Sequence, residues 1–211
     1  MSRLRYNRKA AVDYLCAQCD ALGGFIRLQG PLKIRISRES DLFCALAQAI
    51  VYQQLSGKAA ATIYGRFCGL FAGGQPDARA VNKFDVARLR SVGLSQNKAL
   101  AIQDLSVKAL DGSLAGMRRI GRMSDEEVIQ NLVQVRGIGP WTAQMLLIFN
   151  LGRPDVMPSA DLGVQKGVQA VYRMRSLPDP EQVLRRTRHL APFRSAASWY
   201  FWRAADTVLM R

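Results

Sequence analysis

The chain has 211 residues, 49% of them apolar, and sets 30 Lys and Arg against 16 Asp and Glu, for a net charge of +14. That makes it an ordinary globular protein able to bury a core, as one compact domain or two small intertwined ones. No window approaches about eighteen uninterrupted apolar residues, and the opening "MSRLRYNRKAAVDYLCAQCD" turns polar too early for a secretory leader, so neither a membrane span nor secretion is expected. The basic excess favours a polyanionic partner, because each phosphate neutralised releases condensed counterions. Nucleic acid leads; anionic lipid, ribosomal RNA or a merely solvated basic surface are the alternatives. No basic tail explains the charge, since arginines run from Arg3 to Arg211.

In chain order, "RKAAVDYLCAQCDAL" is predicted to be a first helix that stops at Gly23-Gly24. It carries Cys16 and Cys19 on one face, read as two small buried thiols. No second pair or histidine cluster completes a zinc site, and the only histidine is His189. With Cys44 and Cys68 the cysteines are too few for a disulfide scaffold. "FIRLQGPLKIRIS" is expected to be an extended connector. "SDLFCALAQAIVYQQL" is apolar on nearly all sides, the pattern of a buried central helix. "SGKAAATIYGRFCGLF" starts at a Ser56 cap, and "GGQPD" breaks the chain. Shorter helices follow in "DVARLRSVG" and "SQNKALAIQDLSVKAL". "SDEEVIQNLVQV" opens with Ser124 and Glu127, spaced as a capping box. The end, "DPEQVLRRTRHLAPFRSAASWYFWRAADTVLMR", reads as two helical stretches separated by Pro192. An all-α protein without repeats follows.

Within "VRGIGPWTAQM", Gly137 and Gly139 permit backbone angles closed to other residues, and Pro140 suits the first position of a new helix. "RGIG" is therefore a tight hairpin between helices. It bares backbone N–H groups at a helix start, where an anion such as a DNA phosphate can bind. A plain turn without a ligand is the simpler reading for a lone Gly-x-Gly. Further on, Pro154 and Pro158 force a loop before a helix beginning around Ser159 to Asp161, where Asp161 would serve as an ordinary cap.

"LVQVRGIGPWTAQMLL" resembles the helix-hairpin-helix motif of the HhH-GPD DNA glycosylase superfamily, with its hydrophobic-x-Gly-hydrophobic-Gly core followed by Thr-Ala. "VYQQLSGKAAATIYGRF", "PSADLGVQK" and "PFRSAASWYFW" extend the resemblance from about Ser40 to Trp202, toward the bacterial 3-methyladenine DNA glycosylase II type without its additional N-terminal domain. The resemblance implies a two-lobed helical fold with the active site in the cleft between lobes and DNA across it. One lobe would span residues 37–150, with the hairpin at about 124–150; the other would join 1–36 to 151–211.

It also implies site residues. Gly137, Gly139 and Thr142 match backbone N–H groups that hold one DNA phosphate, and the carbonyls of Val133, Val135 and Ile138 match a monovalent cation site for Na+ or K+. Asp161 matches the catalytic carboxylate, which would stabilise oxocarbenium character on the sugar or position the attacking water. Trp141 and Trp202 match pocket tryptophans for a flipped base, with Tyr52 a further pocket candidate. Trp199, Tyr200 and Phe201 fit core packing equally well. Gln54 or Leu55 would plug the gap in the duplex, although Leu55 could instead be a hydrophobic staple. Trp141 stands where strand-cutting relatives carry a lysine nucleophile, so a monofunctional enzyme leaving an abasic site is expected. No cysteine set matches the iron–sulfur branch.

The expected partner is double-stranded DNA containing alkylated purines, met by a monomer inside the cell, in the nucleoid or the nucleus. A non-catalytic helix-hairpin-helix protein that binds damaged or unusual DNA is the alternative. A bifunctional lyase using another lysine, such as Lys166, is a third.

Overall fold

The computed structural model of the protein describes residues 3–37, 39 and 41–209. Among them lie α1 (Arg8–Gln18), α2 (Asp20–Gln29), α3 (Leu42–Tyr52), α4 (Gly57–Cys68), α5 (Ala78–Val81), α6 (Val86–Ser91), α7 (Gln96–Asp111), α8 (Met117–Ile120), α9 (Asp125–Leu132), α10 (Pro140–Phe149), α11 (Leu162–Val171), α12 (Pro180–Thr187) and α13 (Arg194–Leu209). No strand occurs among the described residues, and no helix is long and apolar enough to cross a membrane.

Helix starts follow from side chains that satisfy the first, otherwise orphaned N–H groups. Five aspartates do this: Asp41, Asp77, Asp85, Asp161 and Asp179 each accept from a backbone N–H three residues on. Ser56 and Ser95 cap α4 and α7 in the same way. At α9 the expected capping box is complete, with Ser124 accepting from Glu127 N and the Glu127 carboxylate accepting from Ser124 N.

The chain divides into two compact units, Glu39–Ala143 and the pair of segments Met1–Arg38 and Gln144–Arg211. The second boundary falls inside α10 rather than after residue 150. In the first unit α3 is the core helix: Leu42 through Ala47, Ile50 and Val51 are all buried, which leaves little of its surface to solvent. In the second unit α11 lies directly on α13. A Cβ at Gly167 would sit 2.0 Å from the carbonyl oxygen of Phe201, so only glycine allows that approach.

The beginning of the chain differs from the sequence expectation. The first helix stops at Gln18, and α2 then runs through Gly23-Gly24 as far as Gln29. Cys19 makes the break, with extended backbone angles and a thiol that accepts from Leu22 N at 3.5 Å. The glycine is a packing residue instead: a Cβ at Gly23 would lie 3.1 Å from the Cys16 backbone. Cys16 and Cys19 thus do not share a helix, and only Cys19 is buried. The expected extended connector begins late, because Phe25–Gln29 are helical and chain without helix or strand starts after Gly30, whose φ is +84°.

Candidate functional site

Within Glu39–Ala143, the hairpin between α9 and α10 is anchored by Val135 and Ile138, which are 1% and 5% exposed. Val135 N donates to Leu132 O and Ile138 N to Val135 O, which turns the chain tightly. Gly137 occupies the left-handed region at φ +77°, and a methyl group there would touch Ala101 of α7. Gly139 needs neither a special angle nor empty space for folding, since a Cβ there would meet nothing within 4 Å. Its bareness keeps the surface open. The N–H groups of Gly137, Gly139 and Thr142 donate to nothing among the described residues, and Thr142, third in α10, has no helical carbonyl within reach. Three unclaimed donors beside a helix start suit one phosphate.

The carbonyl side of the same turn carries the three oxygens that the family resemblance implies for a monovalent cation. Val135 O accepts from Ile138 N but retains a lone pair, and the oxygens of Val133 and Ile138 accept from nothing among the described residues. Trp141, second in α10, is 46% exposed.

Next in this unit is the turn after α3. Gln54 takes a left-handed φ of +55°, uncommon for a residue with a side chain, and both it and Leu55 are exposed. Gln53, which the sequence reading passed over, donates from Nε2 to Gly137 O at 2.9 Å and to Thr142 Oγ1 at 3.5 Å. Tyr52 is turned edge-on to Tyr64 of α4, with ring centroids 6.2 Å apart.

In the other unit, the loop before α11 is pinned to the start of α13. Arg194 donates to both oxygens of Asp155, at 2.7 and 2.8 Å, while Ser195 N donates to Pro154 O and Val156 N to Ser195 Oγ. The bidentate pair with Asp155 raises the Arg194 pKa further above its ordinary value, so its charge is permanent. The loop delivers Asp161 to the head of α11. One of its oxygens, Oδ1, accepts from Val164 N at 2.8 Å as a cap does, and also from the indole Nε1–H of Trp202 at 2.8 Å. Trp202 lies against Phe149, with centroids 5.7 Å apart and planes 30° from parallel. Gly163 makes room for this contact: a Cβ there would fall 2.8 Å from Trp202 Cδ1 and 3.0 Å from Asp161 Oδ1.

The neighbours of Trp202, left open between pocket and core by the sequence, are not pocket residues of this unit. Tyr200 and Phe201 are fully buried core residues, and Trp199 carries the Arg203 guanidinium over its ring. Phe149, Gly163, Arg194 and Gln53 were missed. For the two glycines of the hairpin a local pattern exists, but these four act through partners far away in the chain.

The profile of a family described as "HhH-GPD superfamily base excision DNA repair protein" matches residues 47–193, which include the hairpin and Asp161. The chain belongs to the HhH-GPD superfamily. Among its relatives, "DNA-3-methyladenine glycosylase 1" of Schizosaccharomyces pombe is 37% identical over 172 residues, 81% of this chain and 75% of that one. "DNA-3-methyladenine glycosylase" of Saccharomyces cerevisiae is 33% identical over 178 residues, 81% of this chain and 60% of that one. A solved S. pombe 3-methyladenine DNA glycosylase, Mag1, in complex with abasic DNA superposes with a TM-score of 0.84 at 33% identity, covering 93% of this chain and 97% of that one. The all-helical HhH-GPD fold is therefore common to both.

Proposed function

We infer that the protein is a monofunctional DNA glycosylase of base excision repair, which flips an alkylated purine out of duplex DNA, hydrolyses its N-glycosidic bond and leaves an abasic site. The observation that carries this reading is the second hydrogen bond to Asp161. A helix cap needs only Val164 N; it does not need an indole donor, nor a neighbour at position 163 without a Cβ. A carboxylate with its orientation fixed twice over is what a reaction at a sugar requires.

Base flipping exposes the sugar bond, which a stacked nucleotide cannot present. As the bond breaks, its electron pair leaves with the base, and the sugar gains oxocarbenium character that the Asp161 carboxylate stabilises. Water then adds to the sugar carbon and loses a proton. A purine alkylated at N3 or N7 is already cationic and leaves without a second protein acid; the face of Trp141 attracts such a cation by about 0.5 to 2 kcal/mol. The absence of lysine at position 141 supports hydrolysis without strand cleavage.

Gly137, Gly139 and Thr142 hold the phosphate through their N–H groups, and a Na+ or K+ ion on the carbonyls of Val133, Val135 and Ile138 would add positive charge at the same turn. Gln54 is the plug, because its left-handed backbone is the strained position of the turn. The names of the yeast relatives support alkylated purines as substrates. The protein works as a monomer, wherever the DNA is.

The test is to incubate the protein with methylated DNA and identify the bases set free. Wild type should release methylated purines, and Asp161→Asn should slow release by about 100-fold or more while duplex binding persists. No release by wild type leaves a protein that only binds.

A further inference from the structure

We propose that Gln53 is a positioning residue that ties the turn bearing Gln54 to the phosphate-holding hairpin, so that seating a phosphate and placing the plug become one event. The proposal rests on the glycosylase reading above. The Gln53 amide nitrogen donates across 84 and 89 residues of sequence, to Gly137 O at 2.9 Å and more weakly to Thr142 Oγ1 at 3.5 Å. Both acceptors belong to residues whose own N–H groups are without an acceptor among the described residues and are assigned to the phosphate above. Because Thr142 Oγ1 accepts from Gln53, its hydroxyl hydrogen is directed elsewhere.

The other end of Gln53 is held equally firmly. Its carbonyl and that of Val51 accept from Lys98 Nζ, at 2.7 and 2.8 Å, which closes the end of α3. Burial lowers the Lys98 pKa, as expected of an ammonium partly taken out of water. Lys98 lies on α7, and the same helix supplies Asp104, whose Oδ2 accepts from Arg136 N at 2.7 Å, and Ala101, which lies against Gly137. Turn and hairpin thus share one backing helix, with Gln53 as a direct link between them. A displaced hairpin would pull on the backbone next to Gln54, the residue that already sits at φ +55°. An amide suits this link, because it donates twice and brings no charge near a phosphate.

The experiment compares wild type, Gln53→Met, Gln54→Ala and the double variant in single-turnover release of 7-methylguanine from a duplex. Affinity for the undamaged duplex and the urea midpoint are measured alongside. Gln53→Met should slow release about fivefold, the effect of one lost neutral hydrogen bond, and leave undamaged-duplex affinity within about twofold. In the Gln54→Ala background the same change should have no further effect beyond about twofold, because Gln53 acts through Gln54. Losses that multiply in the double variant overturn the proposal, as does a Gln54→Ala protein that releases base at the wild-type rate. No release by wild type overturns the glycosylase reading instead.

Should Gln53→Met fail to fold, Gln53→Glu decides. Its carboxyl donates only when protonated, so its rate relative to wild type should climb as pH falls from about 8 to about 5. A flat ratio overturns the proposal.

Discussion

A methyl group at Gly163 would fall 2.8 Å from Trp202 Cδ1, so alanine there moves the indole off the Asp161 carboxylate. The helix itself gains, since alanine is favoured over glycine by up to about 1 kcal/mol. Gly163→Ala is therefore expected to slow base release about tenfold, the loss of a hydrogen bond to a charged group, with a urea midpoint close to wild type. Release at the wild-type rate would show that the indole's grip on Asp161 is dispensable. Gly167→Ala should behave in the opposite way. Its Cβ meets a backbone oxygen at 2.0 Å, which cannot swing aside, so unfolding in urea should show a loss of about 3 kcal/mol. In the sequence both are glycines in one helical segment. Their roles depend on Trp202 and Phe201, more than thirty positions away, and no local pattern records such a partner.

Among the elements, the hairpin was the most legible part. Gly137, Gly139 and Pro140 punctuate it, and the Ser124–Glu127 capping box starts the helix before it, all within about four residues of their effect. The end of the first helix was not legible, because Gly23-Gly24 has the look of a helix stop while Gly23 answers a packing demand from Cys16. Asp161 was legible as a cap, and the structure adds an indole as its second donor. The two hairpin glycines can now be separated. Gly137→Ala forces a side chain into the left-handed region and should lower stability by about 1 to 2 kcal/mol. Gly139→Ala meets no neighbour and should keep its urea midpoint, yet it should weaken duplex binding about tenfold by holding the phosphate away from the N–H groups. Undiminished binding by Gly139→Ala would remove the hairpin from the phosphate contact.

For the molecule as a whole, alkaline pH should be damaging through groups that burial keeps protonated. Cys44, 1% exposed, has its thiol pushed up to about 12 by desolvation, with the Asp41 carboxylate adding to the shift, and burial takes Tyr6 and Tyr200 to about 12 as well. For an acid whose pKa is higher folded than unfolded, the folded state binds more protons in between, so stability falls as pH rises from the unfolded pKa to the folded one. The stability difference between wild type and Cys44→Ala should accordingly shrink from pH 9 upward toward 12, measured by urea unfolding. A constant difference would mean that Cys44 ionises no later in the fold than out of it.

The five capping aspartates have an electrostatic consequence beyond the helices they begin. Each sets its negative charge against the backbone N–H groups of a helix start. Among the described residues, no arginine or lysine is hydrogen-bonded to the carboxylate in four of the five, and Asp161 is bonded to an indole. Carboxylates used in this way are unavailable as partners for the basic surface. The net charge of +14 is the same either way, but the basic side chains are left to mobile anions rather than to these carboxylates, and those anions are what a DNA backbone displaces. How strongly such a protein is drawn to DNA depends on where its acids are placed as well as on how many arginines it has.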